Sequence, residues 1–124
     1  MFRRLINWIQ KESRSIQFKK VCQVNWDKDI VTIVLNPPQK NQNVEKFTWN
    51  SVERVCLEVT GKHYSDEVYF FTNLRLEAFI VPLDAKNGEA FMNEVVTKKL
   101  FDNQFVVSNK YSQIGQYWWP EKAA

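Results

Sequence analysis

One histidine, His63, stands in this chain of 124 residues, so any Ser-His-Asp or Cys-His site would have to be built on it. It lies in the polar turn GKHYSDE, Gly61 to Glu67, a normal place for an exposed imidazole rather than a catalytic base. Cys22 and Cys56 lack the local spacing of a zinc site, and a single histidine cannot complete a Cys2His2 set. Both sit in apolar runs, as buried free thiols do. Nothing in the sequence suggests an oxidising compartment, so two reduced thiols are expected rather than a disulfide. Asp66 and Glu67 are adjacent, and on a strand their side chains diverge. Paired-carboxylate chemistry needs groups that converge on one bond. Neither the dinucleotide-binding glycine pattern nor a P-loop occurs. The residues thus point away from an enzyme, and no catalytic residue, cofactor site or metal site is expected.

Binding chemistry is the other possibility. Tyr69-Phe70-Phe71 suits base stacking in an RNA-binding sheet. The element order does not fit that module, and its glycine-rich aromatic motif is missing, so core packing is the expected role. Tyr117-Trp118-Trp119 is different. Two successive tryptophans on a strand cannot face one core. One is expected to cover the sheet edge or the N-terminal helix, and Trp118 to anchor a partner, because exposed tryptophan is enriched at binding hot spots. Asp66, Glu67, Glu77 and Asp84 gather around one hairpin of a slightly basic chain. They are read as a solvated acidic corner that contributes, with Trp118, to partner binding.

The elements that must position these residues are legible from periodicity. Phe2, Leu5, Ile6 and Ile9 follow i, i+3, i+4, i+7 spacing with Trp8 beside them, which predicts an amphipathic helix over about residues 2–13. It is expected to cover one face of a sheet. A membrane-surface anchor is the alternative, given Arg3, Arg4, Trp8 and Lys11. Residues 18–35 read as a hairpin with Cys22, Val24 and Trp26 on one face, turning at Asp27-Lys28-Asp29. Asn36-Pro37-Pro38 ends it. Val44 to Trp49 starts a third strand. Val52 to Val59 fits both periods, and its Val content and terminal Gly61 favour a strand. Glu67–Thr72 and Leu74–Val81 make a second hairpin around Asn73, closed by Pro82. Asn87 caps a helix over about 88–99, with Phe91, Val95 and Val96 inward. Leu100 to Asn103 forms a corner, residues 103–110 a short second helix with Phe105 and Val106 buried, and Gln116 to Trp119 a sheet edge.

The length argues for one domain over 1–124. At 44% hydrophobic and 15% aromatic, the chain can bury a core without staples. The apolar stretch behind Arg3-Arg4 is broken by Asn7, Gln10 and Lys11, too early for a secretory signal, and no run is long enough to span a bilayer. A soluble, cytoplasmic protein is expected. Seventeen basic and fourteen acidic residues give a net charge of +3, weak evidence for nucleic acid. The fold class is therefore α+β: an N-terminal helix, an antiparallel sheet of about five or six strands, and one or two C-terminal helices. A partly closed β-roll with a C-terminal helix, as in pleckstrin-homology-like domains, is the second architecture.

Three segments carry a family pattern: Phe47-Thr48-Trp49-Asn50-Ser51-Val52-Glu53-Arg54-Val55, then Ser65-Asp66-Glu67-Val68-Tyr69-Phe70-Phe71, then Ile80-Val81-Pro82. A helix, Leu100-Phe101-Asp102-Asn103 and Tyr117-Trp118-Trp119-Pro120 follow. Over residues 47–119 this resembles small bacterial immunity proteins, including those of contact-dependent growth inhibition systems. The resemblance implies a non-enzymatic protein that binds one cognate toxin domain and blocks it. It transfers no binding residues, because binding sites vary among members. The net charge departs from the acidic character frequent in immunity proteins that face nucleases. A small nucleic-acid-binding module using Arg3, Arg4, Lys19, Lys20 and exposed aromatics is the competing reading.

Overall fold

The computed structural model describes residues 23–34, 44–61 and 65–121. The predicted helix over 2–13, Cys22, the Pro37-Pro38 loop and His63 lie outside the described residues. Asp27 organises the first hairpin. Its carboxylate accepts from the N–H groups of Asp29 and Ile30, both at 2.8 Å. Those two donors hold the carboxyl below the usual aspartate range. Strand β1, Gln23–Trp26, therefore turns directly into β2, Ile30–Val34, and β3, Val44–Thr48, pairs on the other side of β2. All pairings are antiparallel, in the order β1-β2-β3.

A short 3-10 turn, Trp49–Ser51, separates β3 from β4, Val52–Val59. Its Ser51 hydroxyl donates to the Thr48 carbonyl at 2.7 Å. The turn redirects the chain into a second antiparallel sheet. That sheet adds β5, Glu67–Thr72, β6, Phe79–Pro82, and β7, Gly115–Trp119, in the order β6-β5-β4-β7. The expected single sheet of five or six strands is thus seven strands in two sheets among the described residues. The mixed α+β class and the antiparallel pairing agree with expectation, as does the strand at Val52–Val59.

Helix α1, Gly88–Thr97, packs against β1 and closes one end of the core. Phe91 joins the parts: its ring lies 5.5 Å from Trp26, 5.7 Å from Trp49 and 5.5 Å from Phe70. Phe47 joins the two sheets, 5.1 Å from Phe70 and 4.9 Å from Phe79. Phe91 and Val95 are buried as expected, and Val96 is half-buried. Asn87 occupies the cap position but its side chain does not cap the helix. It sits in the left-handed region at φ 70°, and its amide donates instead to the Val24 carbonyl, tying α1 to β1.

After α1 the chain departs from expectation. Residues 103–107 form turns and a short 3-10 helix follows at Asn109–Ser112, in place of a helix over 103–110. Val106 is 75% exposed, not buried. Asp102 explains the turn: its carboxylate accepts from the Gln104 N–H at 3.0 Å, so the side chain competes with helical bonding.

Candidate protein-binding surface

Among the described residues, strand β7 forms one edge of the four-stranded sheet and pairs with β4. From Gln113 to Trp119 it carries no charge, whereas natural sheet edges are commonly blunted by charge or proline. Pro120 follows it directly. Tyr117 and Trp119 point to the core side, and Trp118 to the opposite face. Each of the three rings is half-buried.

An aromatic cluster props up the core side of this edge. Phe101 lies 5.9 Å from Phe105, 5.3 Å from Tyr111 and 6.3 Å from Trp119, and Tyr111 lies 5.1 Å from Tyr117. The Tyr111 hydroxyl donates to Asp102 at 2.6 Å, which holds the Asp102 carboxyl below its ordinary value. Burial, and then that same carboxylate, push the Tyr111 phenol up. Tyr117 donates to the Gln113 carbonyl at 2.7 Å. These bonds fix the loop that presents Val106, Val107 and Ile114 at 75%, 74% and 76% exposure. Such exposure at three β-branched residues has no role in the core.

On the opposite face, Trp118 lies 5.5 Å from Phe71 and takes the Arg54 guanidinium over its ring at 4.5 Å. Arg54 also donates to the carbonyls of Pro120 at 3.0 Å and Glu121 at 2.7 Å. It therefore clamps the chain leaving β7. An open depression lined by Lys110, Gln116, Tyr117, Trp118 and Glu121 runs along this edge. Strand β7 supplies tyrosine and tryptophan, β4 the arginine, and the chain between α1 and β7 the exposed aliphatics, the composition of a protein-binding patch.

The acidic corner is not one surface. Asp66 and Asp84 lie at the same end of the β5-β6 hairpin, where the Leu83 N–H donates to the Asp66 carbonyl at 2.8 Å. Asp66 is half-buried and Asp84 exposed. Glu77 is exposed at the far end, in the loop that joins the two strands. Glu67 is a correction. It belongs to β5 rather than to a turn, is 1% exposed, and receives the Tyr69 hydroxyl at 3.3 Å. Trp118 lies two strands away from β5 on the sheet edge. The five residues named from sequence are therefore dispersed, and Trp118 alone falls on the β7 surface. Arg54, Val106, Val107 and Ile114 were missed there. The uncharged run Gln113 to Trp119 was a signal for Ile114 alone.

Among the described residues no cluster of histidine, cysteine and carboxylates has the grouping that holds a metal ion. No helix among them is long and apolar enough to cross a membrane. Comparison of the chain with known protein families, curated proteins and solved structures gives no match.

Proposed function

We propose that this chain is an immunity protein that neutralises a cognate bacterial toxin domain in the cytoplasm by stoichiometric binding, not by catalysis. The observation that carries the reading is the β7 edge: an uncharged strand flanked by Trp118 stacked under Arg54 and by exposed Val106, Val107 and Ile114. An anchor of this kind fits a groove on a partner and excludes water from its centre. Covering the toxin's active site or substrate channel would then suffice for inhibition.

Charge supports the same reading. From residue 23 onward the chain has thirteen acidic and eleven basic residues, so its net positive charge resides in the first 22. Asp66, Glu77 and Asp84 remain available to steer a basic partner, at the rim rather than at the anchor. The nucleic-acid alternative draws on Arg3, Arg4, Lys19 and Lys20. Four of the eight described cations, Arg54, Arg75, Lys98 and Lys110, are engaged with carbonyls, carboxylates or rings.

The test is co-expression with the toxin domain encoded beside this gene, followed by titration of the purified proteins. The reading predicts restored growth and a one-to-one complex. Absence of both, with polyanion binding that weakens steeply with salt, would favour the alternative.

A further inference from the structure

The loop between β5 and β6 contains neither glycine nor proline, the residues that most often build a turn. Side chains hold its shape instead. The Asn73 N–H donates to the Ser51 carbonyl at 3.0 Å, and the Leu74 N–H to the Thr72 hydroxyl at 3.1 Å. Arg75 fixes the rest. Its guanidinium donates to the carbonyls of Glu77 and Ala78, both at 3.1 Å, and to the Glu45 carboxylate at 3.0 Å. It also lies 3.7 Å over the buried ring of Phe79. Arg75 thus turns inward and ties the loop to the start of β3. Leu74 and Leu76, on either side of it, are 53% and 79% exposed. Among the described residues neither leucine belongs to the two apolar clusters. The bonds that shape the loop come from Thr72, Asn73 and Arg75, so folding requires nothing apolar at 74 or 76. Exposed apolar residues gathered on one pinned loop and rimmed by polar groups mark an interaction surface.

We propose that Leu74 and Leu76 make a second contact with the toxin domain, receiving an apolar ridge of that domain flanked by lysine or arginine. The inference rests on the toxin reading above and names a surface that the β7 edge does not include. Three observations select this occupant. The loop is already fixed, so burying its leucines forfeits little ordering entropy. Its rim is negative. Glu45 balances the Arg75 charge, whereas Glu77 beside Leu76 is exposed, as is Glu53 at the β4 bulge across from the end of β5. Neither Glu53 nor Glu77 has an ion pair among the described residues. A basic rim on the partner complements them. A second copy of this chain would set them against themselves, because a twofold contact repeats one patch on both sides. The reach is also sufficient. Three strand spacings put β6 about 14 Å from β7. A standard interface covers about 800 Å2 on each partner, so one domain can cover both surfaces in a one-to-one complex.

The test titrates the toxin domain encoded beside this gene with the parent and with a Leu74→Ser, Leu76→Ser double variant. The variant should keep the parent's urea midpoint and bind at least tenfold more weakly. Leu76→Ser alone, at the more exposed position, repeats the measurement if the double variant loses its fold. Unchanged affinity in the folded variant, beside weakened binding by a Val107→Asp, Ile114→Asp variant, would overturn this contact and leave the β7 reading standing. Weakened binding by the leucine variant alone would support the contact and remove β7. A toxin domain that does not bind the parent would overturn the function and this occupant together. Glu53→Lys with Glu77→Lys should slow association at least about fivefold at low ionic strength and little at high. An unchanged rate at low ionic strength would overturn the basic partner.

Discussion

Removing the Trp49 side chain should be among the most damaging single changes in this fold. The ring is 6% exposed, stacks 5.7 Å from Phe91, and lies 4.9 Å from the Lys98 ammonium. Its Nε1–H donates to the Asp27 carbonyl at 2.9 Å, and its backbone N–H to the Asp29 carbonyl at 3.1 Å. Trp49 thus locks the first hairpin onto the turn that redirects the chain into the second sheet. Truncating a buried aromatic to alanine costs about 3–5 kcal/mol. The indole hydrogen bond accounts for about 1 kcal/mol of that. Trp49→Ala should therefore lose about 4 kcal/mol, and Trp49→Phe only about 1–2, since phenylalanine keeps most of the stacking. Urea titration followed by far-UV circular dichroism reads both. A loss under about 1 kcal/mol for Trp49→Ala would remove the turn from the core and refute the packing argument. Equal losses for the two variants would show that the hydrogen bond, not ring burial, is what matters.

Phe71→Ala should cost about 3–5 kcal/mol by the same measurement, and a loss below about 1 would undermine the assignment of its face. Glu67→Lys should destabilise by about 3–5 kcal/mol because it reverses a buried charge, while Glu77→Lys and Asp84→Lys stay within about 0.5. A freely tolerated Glu67→Lys would contradict its burial. Burial first, and then Glu58, push the Cys56 thiol up to about 12 from 9.0. The protonated thiol should therefore resist alkylation in the native state through pH 9. The stability linked to its raised value is complete below its unfolded value and is lost as pH climbs toward the folded one, a decline that Cys56→Ala should lessen. Asp102 is held low by Tyr111, so its contribution is present above the ordinary aspartate value and fades as pH falls through the lowered one. Tyr111→Phe should accordingly cost most near neutrality, with the gap to the parent narrowing in acid denaturation.

Local chemistry made much of the fold legible. Asp27-Lys28-Asp29, ahead of the β-branched run Ile30 to Leu35, specified the first hairpin, and the Asp27 carboxylate makes the bonds such a turn needs. The alternation of Tyr69 and Phe71 against Phe70 showed two apolar faces on β5, and each belongs to a different cluster. The split into two sheets was not legible, because it depends on a three-residue turn whose role emerges only when Trp49 meets Phe91. The second helix over 103–110 was misread although the signal existed. Val106, Val107, Ser108 and Asn109 are weak helix formers, and the Asp102-Asn103 pair favours a turn.

The candidate surface was less legible than the fold. Adjacent Asp66 and Glu67 look alike in sequence, yet one ends a loop and the other begins a buried strand register opposite Glu58. That difference arises from long-range pairing between β4 and β5, which neither residue encodes locally. Trp118 was found because two neighbouring tryptophans cannot share a face. Its partner Arg54 is 64 positions away and was brought there by the β4-β7 pairing. Val106 was expected in the core, and the loop around Tyr111 places it outward.

The central claim is that this chain binds a toxin domain through the β7 edge. It is tested most directly by calorimetric titration of that domain with the parent chain and with a Val107→Asp, Ile114→Asp double variant. Both residues are about three-quarters exposed, so the variant should fold with the parent's urea midpoint. The account predicts a one-to-one complex for the parent and an affinity loss of at least about 2 kcal/mol, roughly thirtyfold, for the variant. Unchanged affinity in the folded variant would contradict the β7 edge as the binding surface, and no heat with either protein would contradict the toxin partner itself.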